Sequence, residues 1–237
     1  SDVPDNTFAS VRIAVSAGEP LPPDIHQRFK ERFNVEILDG LGTTELAHIA
    51  ISNRPGCSVP GTSGTVVEGY EVSLRDESGE EVQDGEAGRL YVKGESVMVG
   101  YWNRTDQTRQ ALSGAFLATG DTYIHNPDGT YTCLGRSDDM LKVGGIWVSP
   151  TEVESCILEL KEIAQVAVVG ADDEEGLVKP KAFVVPETSS AEADLGSLVQ
   201  EHVKERLAPF KYPRWVEIVD ELPQTATGKI KRYLLRS

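Results

Sequence analysis

Apolar and polar positions follow different rhythms in three successive stretches of the chain. Near the start, the β-branched run "VRIAVSA" reads as a buried strand ending at Gly18. "PLPPDIHQRFKERF" follows, with Ile25, Phe29 and Phe33 at helical spacing behind a proline-rich start, which predicts a helix. "VEILDGLG" reads as a second strand. Strand, helix and strand in that order predict a parallel α/β sheet. The loops Ser16 to Glu19 and Asp39 to Glu45 are then expected at the carboxyl ends of neighbouring strands, where open α/β sheets gather ligands.

From about Thr65 to Arg136 the pattern shortens. "TVVEGYEVSLRD", "GRLYVKG" and "YTCLGR" read as short strands, and "DESGEEVQDGEAG" and "HNPDGT" as turns. "RTDQTRQAL" reads as a short helix, and the region as a whole as antiparallel β. A third texture begins near Asp138. "SPTEVESCILEL" has a serine N-cap, proline at the first helical position, and Val153, Ile157 and Leu160 on one face. "IAQVAVVGA", "KAFVVPE" and "RWVEIVD" read as strands, and "DLGSLVQEHVKERL" as a helix with Leu195, Leu198, Val199, Val203 and Leu207 facing inward. The expected organisation is an α/β part over 1–64, a β-rich part over 65–137 and a small α+β domain over 138–237.

Composition narrows the function class. The net charge of −15 over 237 residues lacks the basic stripe of a nucleic-acid scaffold. No apolar run reaches the length of a membrane span, and the start carries no signal-peptide pattern. Cys57, Cys133 and Cys156 are odd in number and unpaired in spacing, which argues against a disulfide framework or zinc site and for the reducing cytoplasm. The four histidines are scattered, so a histidine metal centre is not expected. The chain enters a strand almost at once and has no methionine start, so it reads as a fragment of something longer.

Four stretches could carry chemistry, and each also has a bland reading. In "DGLGTTE" two glycines permit close backbone approach, two hydroxyls suit phosphate oxygens, and Glu45 suits a hard cation. A glycine turn with Thr43 or Thr44 capping a helix explains it equally. In "LATGDTY", Asp121 could accept two ribose hydroxyls or simply fix a turn. "GRSDDMLKVGG" crowds Arg136, Asp138, Asp139 and Lys142 at a change of texture, as a hinge or as a solvated linker. "TATGKIKR" holds Lys229 after a glycine; it is not a P-loop, because Ile230 stands where the hydroxyl belongs. "TSGT", Thr62 to Thr65, lacks a following Gly-x-Pro-Lys and reads as a turn.

Taken in order, "SAGEPL", "DGLGTTE", "GRLYVKG", "TGD", "GRSDDMLKVGG" and "LPQTATGKIKR" resemble the adenylate-forming superfamily of acyl-CoA synthetases, adenylation domains and luciferases, from about Val11 onward. "LDGLGTTELAHIAISNRPG" and "YPRWVEIVDELPQTATGKIKR" resemble its benzoate–CoA ligase group. The resemblance implies a partial adenylate-forming fold and a two-step reaction. A carboxylic acid, expected to be aromatic, and ATP give acyl-AMP and pyrophosphate; CoA, or a carrier protein's pantetheine, then takes the acyl group and AMP leaves.

The implied roles fall on particular residues. Ser16, Ala17, Gly18 and Glu19, with Asp39, Gly40, Leu41, Gly42 and Thr43, would border the nucleotide. Thr44 would touch phosphate and Glu45 would hold Mg²⁺. Asp121 and Arg136 would bind the ribose, and Ala17, Gly40, Gly42, Ala47 and His48 would face the acyl group. His48 could instead pack beneath a loop. Asp138 would be a hinge, and Val143, Gly144 and Gly145 would line the pantetheine tunnel. Lys229 would bridge the attacking carboxylate and the α-phosphate.

Two departures stand out. The superfamily's phosphate loop ending Gly-x-Pro-Lys is missing from this sequence, as is most of an acyl pocket, so the chain is expected to need the N-terminal part of its enzyme for adenylation. Glu174 or Glu175 stands where several relatives have an aromatic residue near CoA. A non-catalytic nucleotide-binding protein is the contrasting reading; retention of Lys229, Asp121 and Arg136 counts against it.

Overall fold

A computed structural model describes residues 3–187, 194–226 and 228–236. The chain divides into two compact units, Ser1–Ser137 and Asp138–Ser237.

In the first unit, strand β1 (Ala14–Ala17) leads through helix α1 (Pro23–Phe33) to β2 (Ile37–Gly42), which lies parallel to it with Ser16 opposite Asp39. Pro23 opens the helix, and Asn34 in the left-handed region closes it. Phe29 and Phe33 face inward as expected, packing on Phe8 with ring centroids 5.4 and 4.9 Å away. Ile25 does not: it is exposed, and His26 is the buried residue of the helix, held by the Ile37 carbonyl and the Ser58 hydroxyl, each 3.1 Å from Nε2. Strands β3 (Ile49–Ser52) and β4 (Thr65–Val66) continue the sheet antiparallel. The four-stranded order is β1-β2-β3-β4, so this sheet runs two residues past the expected change of texture at 64/65.

A second sheet follows. Strands β5 (Tyr70–Arg75), β6 (Ala87–Gly94), β7 (Leu112–Ser113), β8 (Phe116–His125) and β9 (Tyr131–Arg136) pair antiparallel, with the short helix α2 (Thr105–Ala111) before β7. The two sheets share one core: Leu46, Ala50 and Ile51 from the first side meet Leu74, Leu90, Val92, Leu117 and Tyr123 from the second. Each such side chain contributes about 1.5–3 kcal/mol on burial, so this shared layer is what fixes the loop after β2 against the second sheet.

The second unit opens with a tight hairpin, β10 (Leu141–Val143) and β11 (Ile146–Val148). Gly144 and Gly145 form its two-residue turn with φ of 57° and 86°, the pair of positive values that a type I′ turn demands. Helix α3 (Pro150–Ile157) follows, with the Ser149 hydroxyl accepting from the Glu152 N–H at 3.1 Å. Strands β12 (Ile163–Asp172), β13 (Val178–Pro186) and β14 (Trp215–Ile218) make a three-stranded sheet, with helix α4 (Leu195–Arg206) between β13 and β14. Alternation along β12 serves both faces. Val166 and Val168 meet Val153 and Ile157 of α3 and Val199 and Val203 of α4. Ala167 and Val169 meet Phe183, Leu222 and the partly buried Ile230. The C-terminal segment is thereby seated on the face opposite the helices.

An alanine at Gly145 would have to hold the same left-handed backbone. Gly145→Ala is expected to destabilise the second unit by about 1 kcal/mol, a fall of roughly 5 °C in its calorimetric melting temperature. An unchanged melting temperature would contradict the turn assignment.

Candidate active site

The chemistry-bearing residues of the first unit lie at the ends of β1, β2 and β9 and midway along β8. Asp121 stands inside β8, not in the turn expected for it, directly across from Arg136 on β9. The register against β6 runs from Ala118–Tyr91 to Thr122–Arg89, so Thr119, Gly120 and Asp121 bulge opposite Leu90 alone. The Thr119 hydroxyl donates to the Leu90 carbonyl at 3.2 Å and accepts the Asp121 N–H at 3.1 Å, which fixes the bulge. Arg136 Nη1 donates to Asp121 Oδ1 at 3.2 Å and to the Thr119 carbonyl at 3.0 Å. Gly120 has φ of 80°, a left-handed backbone that favours glycine, and a Cβ there would lie 2.5 Å from the tip of the guanidinium, which would have to shift.

Glu45 lies in a single 3-10 turn, Thr44–Leu46. Tyr101 donates its phenol hydrogen to Glu45 Oε1 at 2.7 Å, and the Met98 N–H donates to the Glu45 carbonyl at 2.8 Å. Partial burial opposes ionisation, but the Tyr101 hydrogen bond and the nearby Arg136 charge hold the Glu45 carboxyl below the usual range. Tyr101 was not legible as a functional residue. The only signal is its place in "VGYWN", in the segment between β6 and α2. Thr43 precedes the turn with extended backbone, and its side-chain oxygen is buried with no hydrogen-bond partner among the described residues. Thr44 is exposed.

Asp39, Gly40, Leu41 and Gly42 belong to β2, where the sequence suggested a loop. The two glycines serve the sheet first: a Cβ at Gly40 would lie 2.8 Å from the Ile51 carbonyl oxygen, and one at Gly42 2.7 Å from that of His48. Ser16 is half-buried and Ala17, Gly18 and Glu19 are exposed at the end of β1. Ala47 is exposed with φ 65°, and His48 is exposed as well, so it does not pack beneath a loop. Asp39 is buried; Leu21 N–H donates to Oδ2 at 3.3 Å, while Oδ1 has no partner among the described residues. Burial pushes its carboxyl up to about 6 from an ordinary 3.8, against the pull of the Leu21 and Gly40 amides.

In the second unit, Lys229 is exposed on a small hairpin. Gln224 and Ile230 bridge its base, the Thr225 N–H donates to the Lys229 carbonyl at 2.8 Å, and the Lys229 N–H donates to the Thr225 hydroxyl at 3.0 Å. Thr227 of the same motif lies outside the described residues. Asp138 is the first residue of this unit, and its carbonyl accepts from Arg236 at 3.4 Å while Asp139 pairs with the same guanidinium. Val143 points its side chain into the core, so only its backbone can border a ligand arm. Gly144 and Gly145 face open space. The Glu174–Glu175 stretch forms a turn closed by Asp173, whose carboxylate accepts the Glu175 and Leu177 amides at 3.0 and 2.9 Å.

One cluster runs against expectation: Cys156, Glu159 and His202 approach within 4.8 Å of one another. His202 Nε2 already contacts the Cys156 carbonyl at 3.0 Å and Glu159 at 3.1 Å, and Arg206 engages Glu159 at 2.9 Å, so two of the three groups have partners within the fold. Burial also pushes the Cys156 thiol up to about 11, away from the thiolate a metal would need. The three cysteines are all free.

Comparison with known proteins identifies the family. The AMP-binding enzyme family matches residues 2–102, and the AMP-binding enzyme C-terminal domain matches residues 152–229. The chain belongs to the adenylate-forming superfamily. Its relatives set it in the benzoate–CoA ligase group. Benzoate–CoA ligase of Thauera aromatica is 49% identical over 100% of this chain and 45% of its own length. A benzoate CoA ligase from Burkholderia xenovorans LB400 superposes with a TM-score of 0.93 at 48% identity, covering 100% of this chain and 47% of that one. An anthranilate CoA ligase solved with anthranoyl-AMP also gives 0.93, at 47% identity, over 96% of this chain and 44% of that one. The chain thus spans a little under half the length of these relatives. Among the described residues, no helix is long and apolar enough to cross a membrane.

The Asp39 shift has a testable sign. Its folded-state value lies above its unfolded one, so the native state holds the proton between about pH 4 and 6 and loses stability as pH rises through that window. A shift of about two units corresponds to about 3 kcal/mol at neutral pH. Asp39→Asn keeps an acceptor for the Leu21 amide and removes the charge. The variant is expected to melt close to the parent at pH 4 and several degrees above it at pH 7; a pH-independent difference would contradict the shift.

Proposed function

We propose that this chain works within an ATP-dependent aryl–CoA ligase of the cytoplasm. Such an enzyme joins an aromatic carboxylic acid to the α-phosphate of ATP with release of pyrophosphate, then passes the acyl group to the CoA thiol with release of AMP. The observation that carries the reading is the constellation of Asp121, Arg136 and Glu45 around one glycine bulge, in a chain nearly half identical to a benzoate–CoA ligase.

Each residue has a task that its surroundings support. The Asp121 carboxylate, fixed at the bulge, is suited to accept ribose hydroxyl protons, and Arg136 steadies it while leaving donors for the nucleotide. Ser16 to Glu19 and Asp39 to Thr43 border the base. Thr44, exposed beside them, meets a phosphate oxygen. Glu45 suits Mg²⁺, because it is an ionised oxygen donor and that ion takes one or two carboxylates alongside substrate phosphates. When bound, Mg²⁺ would neutralise phosphate charge.

Lys229 meets the central difficulty of the first step, in which two anions must approach. An ammonium between the carboxylate and the α-phosphate stabilises the charge that develops there. The same group would obstruct the thiol, so its place on a separate unit, beyond a hinge at Asp138, lets it withdraw. Gly144 and Gly145, with no side chains at the hairpin tip, leave room for a pantetheine arm. Ala17, Gly40, Gly42, Ala47 and His48 border the acyl group, and the exposed His48 ring is free to meet a polar substituent.

In the full-length ligase, Lys229→Ala is expected to slow acyl-AMP formation by about 10²–10³ and to spare thioester formation from supplied acyl-AMP. Asp138→Pro should do the reverse, because proline fixes φ at the hinge. Separate measurement of pyrophosphate release and of thioester yield distinguishes them. Equal losses in both steps for both variants would sink the two-position reading.

A further inference from the structure

Glu154 is the most deeply placed acid among the described residues of the second unit, and the reading above gives it no task. It lies on α3 with its side chain 9% exposed. One oxygen accepts the Val168 N–H at 2.7 Å. That amide belongs to β12, an edge strand of its sheet, so the carboxylate reaches from the helix face round the open edge. Arg232 meets it from the C-terminal segment. Its Nη2 lies 3.0 Å from Oε1 and 2.8 Å from Oε2, and its Nε 3.3 Å from Oε1. The guanidinium is itself only 20% exposed.

Arg232 is the third residue after Lys229. The Lys229 hairpin closes on itself through Thr225, and Lys231 N–H adds one bond to the Pro223 carbonyl at 2.8 Å. Those contacts fix the hairpin's shape, and on its N-terminal flank the exposed Gln224 amide donates to Gln165 Oε1 of β12 at 2.9 Å. Ile230 seats one side against the Ala167–Phe183 core, an apolar contact with no directional preference. The Arg232–Glu154 fork is directional and nearly dry, and it links the hairpin's C-terminal flank to α3 and β12 together. Charge-assisted forked contacts of this kind define orientation as well as energy.

We propose that Glu154 is a positioning residue for Lys229, acting through Arg232 to set the angle at which the hairpin presents its ammonium. This rests on the role given to Lys229 above. A misplacement of about 1 Å can cost on the order of 10² in rate, so slackening the fork should weaken the step that needs the ammonium and leave the other untouched. Glu154→Gln is the informative change, because the amide oxygen still accepts the Val168 N–H and the shape is kept while the charge is lost.

In this chain, Glu154→Gln should raise amide hydrogen exchange at Lys229 and Lys231 while the β12 and β13 amides stay protected. In the full-length ligase it should lower kcat for acyl-AMP formation about 10- to 100-fold, leave the KM for ATP within twofold, and spare thioester formation. Placed on Lys229→Ala, it should cost nothing further, because it acts only through the lysine. Arg232→Lys keeps the charge but loses the fork, and should lose several-fold in the same step; it provides the test if the glutamine variant does not fold. Unchanged hairpin exchange, or an additional loss in the Lys229→Ala background, would overturn the proposal. Full adenylation by Lys229→Ala itself would instead overturn the role of the lysine.

Discussion

Across β8 and β9 a carboxylate and a guanidinium face one another, and the polar chemistry of the first unit is organised around that contact. As a source of stability the Asp121–Arg136 pair is modest. The arginine side chain is 55% exposed, so solvent screens the attraction. Its importance is orientational. One guanidinium nitrogen bonds both Asp121 and the Thr119 carbonyl, across a residue 120 whose φ of 80° suits glycine. The bulge also leaves the arginine near Glu45, where its charge adds a small part to the ionisation that the Tyr101 hydrogen bond favours against partial burial. One irregularity in a ladder thus sets three side chains.

The second unit handles charge by the opposite means. Its lysine is carried on an exposed hairpin, where water solvates the ammonium and no burial cost arises. The rigidity comes from below, from a sheet covered on both faces. Alternation along β12 commits Val166 and Val168 to the helices and Ala167 and Val169 to the C-terminal segment. The Lys229 ammonium is thereby carried by a stiff platform without being desolvated by it.

Much of this arrangement was legible from residue order. The strand–helix–strand opening, the antiparallel middle and the serine-capped helix α3 follow from local periodicity and capping chemistry, which act over a few residues. What escaped the sequence depends on partners distant along the chain. Tyr101 meets Glu45 from 56 residues away, and Arg232 meets Glu154 from 78. His26 displaced Ile25 as the buried residue of α1 because a carbonyl and a hydroxyl happened to face its ring, which hydropathy does not register. Gly40 and Gly42 suggested closeness to a ligand, and the sequence did not show that the neighbouring strand also requires them. Val143 suggested a tunnel wall by its motif, but strand alternation turned its side chain inward. A motif records which residues stand together; the pleat decides which way they point.

The first sheet leaves β1 with one row of backbone groups unpaired among the described residues, and Val15 on that strand is 60% exposed. An open apolar edge is a template on which another strand can grow. Against this stands a net charge of −15, which keeps copies of the chain apart through long-range repulsion. That protection is ionic and shortens with added salt, from a reach of about 10 Å at 0.1 M to about 3 Å at 1 M. The repulsion between two copies of this chain is therefore strong in dilute buffer and short in brine, so salt decides how closely such borders can approach.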